Sequence, residues 1–277
     1  MNNTINILIV IVIGLSLGSF INALVWRLHK QLNKHIKSNK YSILTGRSIC
    51  PKCEHKLGLI DLIPILSWAL LGGKCRYCHK PIAISYPVVE LLTTILFVFS
   101  YIYWPYVFNV QGIFYLAIWL ILLVGLIALT IYDIQWLTLP NKIIYPLLVI
   151  VLIQILATII FYGGGLHYVI NEGIGLLIGG GIFYILFQLS QGKWIGGGDV
   201  KLGILLGLYL GSGIYALMMI FIASVLGSLY GGLLLALGKM KHKSLIPYGP
   251  FLIVATIIIA LSGTSILSWL KSIGIYI

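Results

Sequence analysis

The sequence predicts an all-α polytopic membrane protein of about eight transmembrane helices carrying a small cysteine-bearing loop domain. Three observations support that expectation. The 277 residues are 60% hydrophobic and only 9% charged, with 31 glycines, a balance that no soluble core could absorb. Apolar runs near the ~20 residues that a membrane helix needs recur along the chain. All four cysteines fall within the one sizeable polar insertion.

In chain order, the expected spans are 5–26, 87–107, 112–132, 143–162, 172–190, 202–212, 214–237 and 249–270. The first has no positive n-region, its cations follow it, and no small-residue cleavage site is evident, so it is expected to stay as a helix. Within it Gly14 and Gly18 make a small-xxx-small step that would let another helix come close, although ordinary membrane-helix glycine content accounts for the pair as well. The sixth run is too short to cross unaided. Either it takes in Gly198 to Lys201 or it is a partial helix inside the bundle. The expected domains are a first transmembrane helix at 1–26, a loop module at 27–86 and a multi-span domain at 87–277.

An even number of crossings puts both termini on one side and the loops at 27–86, 133–142, 191–201 and 238–248 on the other. Seventeen of the eighteen lysines and arginines fall in those loops, Lys271 being the exception, which is the bias of cytoplasmic loops. Both termini are then expected outside. The net charge of +12 reflects this topology and contact with anionic lipid, and it argues against nucleic acid as a partner.

The loop module holds Cys50-Pro-Lys-Cys53 and Cys75-Arg-Tyr-Cys78. Each C-x-x-C offers two thiolates on a tight turn, and two such knuckles close a tetrahedral structural zinc site. Lys52, Lys74 and Arg76 would favour the thiolate forms, and metal binding would supply folding energy to a loop with little core of its own. Disulfide chemistry is the alternative, but a cytoplasmic loop is kept reducing. His55 and His79, each just past a knuckle, read as bystanders beside four cysteines.

Six carboxylates occur in the whole chain, and two of them stand alone at the edges of apolar runs. Asp133 closes the run ending at Tyr132, in a turn where Pro140 and Asn141 signal the next helix; Asp199 follows Gly196, Gly197 and Gly198 and begins another helix. The glycines are expected to take positive φ and to let a peptide come close. An ionised carboxylate within a bilayer helix costs about 3 kcal/mol, so such residues mark proton, ion or catalytic chemistry. Two of them held close would share one proton and activate a water. Taken singly, Asp133 reads equally as an interfacial residue and Asp199 as an N-cap. Glu90 starts the second span and either holds a cation or polar substrate group or caps that helix. Asp61 and Glu54 balance the basic loop, and Glu172 falls on the outer side, away from any shared site.

With these residues in view, the chain resembles the bacterial type IV prepilin peptidases, also called prepilin leader peptidase/N-methyltransferases. The likeness spans nearly the whole length. It rests on an ordered set: Gly18-Ser19-Phe20-Ile21-Asn22 with Arg27, the two knuckles, Tyr86-Pro87 with Glu90, the Asp133 turn ending in Pro140-Asn141, Gly196 to Lys201, and Ile246-Pro247-Tyr248-Gly249-Pro250. The resemblance implies a membrane-embedded aspartic protease of the G-x-G-D class in the bacterial cytoplasmic membrane, with Asp133 and Asp199 as the catalytic pair. Gly196, Gly197, Gly198, Lys201 and Glu90 would support the site. Such enzymes cut a short basic leader from pilin-like precursors after a glycine on the cytoplasmic side, then methylate the new amino terminus with S-adenosylmethionine. Gly72-Gly73-Lys74-Cys75 matches a stretch that the family associates with methyl transfer, so Gly72 and Gly73 are the cofactor candidates. Cys50, Cys53, Cys75 and Cys78 would hold zinc. The rival readings are a proton-coupled transporter using the two aspartates as a relay and a zinc-dependent scaffold for a secretion machine.

Overall fold

The computed structural model describes residues 3–34, 41–42, 46–239 and 245–273. Lys37, Lys40, Lys241 and Lys243, which enter the charge count above, lie outside the described residues. The described residues are helical apart from turns and two isolated antiparallel bridges, Ile49 with Lys56 and Lys74 with Pro81. By contact the chain divides into two compact units, Met1–Ile102 and Tyr103–Ile277.

The first unit is built on α1 (Asn3–Lys34) and α3 (Ser85–Ile102), with the loop module and the short α2 (Leu66–Leu70) between them in sequence. Helix α1 continues well past the expected end at 26. Hydropathy sees only the apolar stretch, whereas Trp26 to Lys34 contain no glycine or proline to stop the helix. The small-residue step lets α3 lie close: a Cβ added at Gly14 would sit 2.8 Å from the Thr94 Cα, and one at Gly18 would sit 2.6 Å from the Glu90 Cα. Asn6 donates to the Tyr101 hydroxyl and Asn22 to the Tyr86 carbonyl, each at 3.0 Å, so polar ties hold both ends of this helix pair. Helix α3 stops at Ile102, short of the expected 107, because Pro105 disfavours helical backbone at the residue before it.

The second unit comprises α4 (Val110–Trp136), α5 (Asn141–Phe161), α6 (Leu166–Ser190), α7 (Gly197–Leu210), α8 (Gly213–Ala236) and α9 (Gly249–Ser272). Helix α4 supplies much of its interior. Trp119, Leu123, Ala128 and Leu129 on it are fully buried. Seven helices among the described residues are long and apolar enough to cross a membrane: α1, α3, α4, α5, α6, α8 and α9. The eighth expected crossing, at 202–212, is the 14-residue α7, which takes in Gly198 to Lys201. At 1.5 Å per residue it covers about 21 Å, less than the ~30 Å hydrocarbon layer. It survives as a short helix because glycines let it lie flat against α6. A Cβ at Gly179 would fall 2.7 Å from the Gly203 carbonyl oxygen, and one at Gly175 would fall 2.5 Å from the Gly207 carbonyl oxygen. Pairing of 175 with 207 and 179 with 203 means that α7 runs back along α6. Helix α6 begins at Leu166, ahead of the expected 172, so Glu172 lies inside a helix and not at its edge. Its side chain is buried beside Gly211, at the end of α7 remote from Asp199.

Candidate active site and metal centre

In the second unit two carboxyl groups, those of Asp133 and Asp199, lie near helix ends. Asp133 stands in the last turn of α4, which Leu137 closes in the left-handed conformation (φ 53°) with its N–H on the Asp133 carbonyl. The Asp133 residue is 5% exposed, and its Oδ2 accepts a hydrogen bond from the Gly249 N–H at 3.2 Å. Gly249 is the first residue of α9. Asp199 occupies the first turn of α7, where its Oδ2 accepts from the Gly196 N–H at 3.2 Å and its own N–H donates to the Gly196 carbonyl at 3.0 Å. Both carboxylates therefore take their N–H donors from the starts of helices, where the peptide dipoles favour negative charge.

Missing side chains draw these ends together. A Cβ at Gly198 would lie 3.1 Å from the Leu139 Cβ, and a Cβ at Gly249 would lie 3.5 Å from the Leu139 Cδ2 and 2.7 Å from the Asp133 Oδ2. The turn after α4, the start of α7 and the start of α9 thus share one contact, Leu139. Asp199 lies outside the seven spans. Burial first, then the negative charge of Asp133, pushes its carboxyl up to about 6 against the pull of the Gly196 hydrogen bond. The negative charge of Asp133 thus reaches the Asp199 carboxyl.

The expectation that Gly196, Gly197 and Gly198 supply positive φ is corrected. Gly196 is extended (φ −76°, ψ 150°), and Gly197 and Gly198 already belong to α7. Close approach, at Gly198, is what the absence of a side chain provides. The Lys201 ammonium donates to the Asn141 Oδ1 at 3.0 Å and lies 5.9 Å from the centre of the Tyr145 ring, so it ties α7 to the start of α5. Pro140 is the N-cap of α5, as its place before Asn141 predicts. The role of Gly249 is one that sequence reasoning missed. Its Gly-Pro pair signals a helix start, but an N–H donor has no side-chain signature that would link it to Asp133.

In the first unit the two knuckles repeat one backbone design. The Cys50 N–H donates to the His55 carbonyl and the Glu54 N–H to the Cys50 carbonyl, each at 2.9 Å. The Cys75 N–H donates to the Lys80 carbonyl at 3.0 Å and the His79 N–H to the Cys75 carbonyl at 2.9 Å. Glu54 and His79, each one residue past the second cysteine, both take positive φ, 57° and 54°. The four sulfur atoms lie within 4.8 Å of one another. Around a zinc with Zn–S of about 2.3 Å, tetrahedral geometry puts sulfurs about 3.8 Å apart, so a small inward shift completes the site. Among the described residues the cluster holds cysteines alone, and His55 lies against the Tyr77 ring at 3.8 Å. Burial opposes ionisation of Cys75, but the Cys78 and Tyr77 N–H groups and the neighbouring thiols bring it down to about 7. At Cys53 the His55 hydrogen bond pulls down, yet burial and the Cys50 and Cys78 sulfurs push it up to about 11. Ionising all four calls for a cation at their centre. Asp61 braces the second knuckle through Arg76 (2.7 Å) and the Tyr77 hydroxyl (3.0 Å).

Glu90, Gly72 and Gly73 belong to this first unit. Glu90 is 7% exposed, and its Oε2 accepts from the Ile65 N–H at 2.7 Å. Gly72 and Gly73 form the turn after α2 at positive φ, 58° and 69°.

Comparison with known proteins bears on both units. Residues 12–104 match the bacterial peptidase A24 N-terminal domain, and residues 120–232 match the type IV leader peptidase family. The prepilin leader peptidase/N-methyltransferase of Pseudomonas aeruginosa is 31% identical over 94% of this chain and 91% of its own length. That of Aeromonas hydrophila is 32% identical over 94% and 92%, and that of Bacillus subtilis 30% identical over 94% and 96%. No solved structure matches the chain. Family-domain matches in both units, and relatives matched nearly end to end, lead to one assignment: the chain belongs to the type IV leader peptidase family.

Proposed function

We propose that the chain removes the leader from type IV prepilins with Asp133 and Asp199 and methylates the exposed amino terminus in its first unit. The observation that carries the peptidase half is that the charge of Asp133 reaches Asp199 where three chain segments share Leu139. Asp199, raised to about 6, holds the shared proton more firmly than an ordinary aspartate, and Asp133, bonded to the Gly249 N–H, carries the charge. Asp133 then takes a proton from water as the oxygen attacks the scissile carbonyl, which protonated Asp199 polarises. Collapse of the tetrahedral intermediate returns a proton to the leaving amine and frees the leader. Family membership favours this reading over a proton relay for transport.

Charge bias in the sequence supports a cytoplasmic site, a cut after glycine following from the resemblance. The same charge bias supports placing both termini outside, with α7 carrying the chain back along α6. Cys50, Cys53, Cys75 and Cys78 would hold zinc, and four thiolates leave no open position for water, so its role is structural. S-adenosylmethionine would supply an electrophilic methyl group on a sulfonium. The chain's own task in that step is to bind the donor and present the amine. The N-terminal-domain match covers nearly all of the first unit, and the leader peptidase match lies wholly in the second, which supports this division of labour.

Mass spectrometry of a co-expressed prepilin tests the whole reading. Leader loss with one added methyl group is expected from the wild type. Neither Asp133→Asn nor Asp199→Asn should remove the leader, and cleavage retained by either variant refutes the pair.

A further inference from the structure

We infer that a pocket in the first unit is the methyl-donor site, with Glu90 against the donor's cationic end and the Trp68 indole, seated by Gly73, against its aromatic base. The inference rests on the methyl-transfer reading above and gives it a location. The pocket, about 130 Å³, is walled by α1, both knuckles, α2 and the start of α3. Trp26, Arg27, Trp68 and Glu90 all line it. A sulfonium donor joins a permanent cation and an amino-acid head to a flat purine. This wall offers a buried carboxylate, a guanidinium and two indoles, at least one group for each part.

Glu90 is built to face a ligand. Its hydrogen-bond partners are neutral, the Ile65 N–H and the Ser19 hydroxyl, so neither supplies the counter-charge that a cation would. Ile65 delivers that N–H from φ 60°, ψ −51°, a conformation a β-branched residue adopts only under constraint. Strain of this kind persists where surrounding structure imposes it, most often at binding and catalytic sites. Gly18 allows the approach that sets Glu90 in the wall, its bare Cα facing the Glu90 backbone.

Gly72 and Gly73 are expected from the resemblance to serve methyl transfer directly, yet neither lines the pocket. Their effect runs through Trp68. A Cβ at Gly73 would lie 2.9 Å from the Trp68 Cζ2, while the Gly73 N–H donates to the Trp68 carbonyl at 2.8 Å. Trp68 Nε1 donates to the Ile82 carbonyl at 3.2 Å, and the Ile82 N–H donates to the Gly73 carbonyl at 2.8 Å. The turn therefore clamps the indole edge-on, and Gly73 is a positioning residue for the Trp68 ring.

Titration calorimetry on the purified, zinc-loaded, full-length protein decides the matter, with S-adenosylmethionine and its neutral thioether S-adenosylhomocysteine as probes. Glu90→Gln should weaken the sulfonium probe about tenfold or more and change the thioether little, because only the charge-dependent contact is lost. Gly73→Ala should weaken both probes and shift the tryptophan fluorescence. Full zinc content in each variant shows that the unit is folded. Wild-type affinity for S-adenosylmethionine in both zinc-loaded variants overturns the pocket assignment. Failure of the wild type to bind S-adenosylmethionine overturns the methyl-transfer reading with it.

Discussion

In the proposed chemistry of the second unit, Asp199 and Gly249 are the single residues with the sharpest consequences. The Asp199 carboxyl titrates near 6 in the folded chain and near the ordinary 3.8 when unfolded. A raised carboxyl favours the fold below its unfolded value, and that advantage is lost as pH rises to about 6. Thermal melting in detergent should therefore show wild type losing stability relative to Asp199→Asn between pH 4 and pH 6. Parallel melting curves for the two proteins would contradict the shift. At Gly249 an added methyl would sit 2.7 Å from the Asp133 Oδ2 and push the carboxylate off its N–H donor. Gly249→Ala should lower the rate of leader cleavage about a hundredfold in a chain that still inserts, the scale expected when a reacting group moves by an ångström. Both aspartates were legible in the sequence as lone carboxylates at the edges of apolar runs. Gly249 was not, because its contribution is a backbone N–H from a helix more than a hundred residues away.

Among the elements, α7 is the one whose form composition could not settle. Its length is too small for a span, and what keeps it in the bundle is the seam of Gly175 and Gly179 against Gly203 and Gly207. Replacing Gly203 by Leu should cost about 1–3 kcal/mol through overpacking and lower both melting temperature and cleavage. Gly181→Ala, at a neighbouring position with open space around it, should leave melting unchanged. Equal melting of the two variants would show that the seam does not support α7. Two of the helix boundaries misread from sequence share one cause. Hydropathy marks where a chain turns polar, but α1 continues through Trp26 to Lys34 and α6 starts before Glu172, since backbone hydrogen bonding does not stop at the apolar boundary. Where a proline intervenes, as at Pro105 and Pro140, local sequence does mark the boundary.

At the scale of the molecule, the two units allow the two proposed reactions to be separated. Stripping zinc with a strong chelator should unfold the knuckles, since so small a module draws its folding energy from the metal. The co-expressed or added prepilin should then lose its leader but gain no methyl group, as read from its mass. Cys53→Ser should have the same effect and reduce the bound zinc. Loss of both reactions together would show that the units depend on each other.

The amino-acid sequence by itself determined the class of the protein and the two knuckles, and it singled out the two acids proposed as a pair. Those are properties of residue type and short-range spacing, and bilayer burial and metal coordination act on them directly. Only tertiary structure decided that the charge of Asp133 reaches Asp199, that Gly249 holds Asp133, and that Glu90 and Trp68 wall one pocket. Such proximities arise from helix packing at glycines distant in the chain, where the absence of a side chain acts only when another backbone arrives.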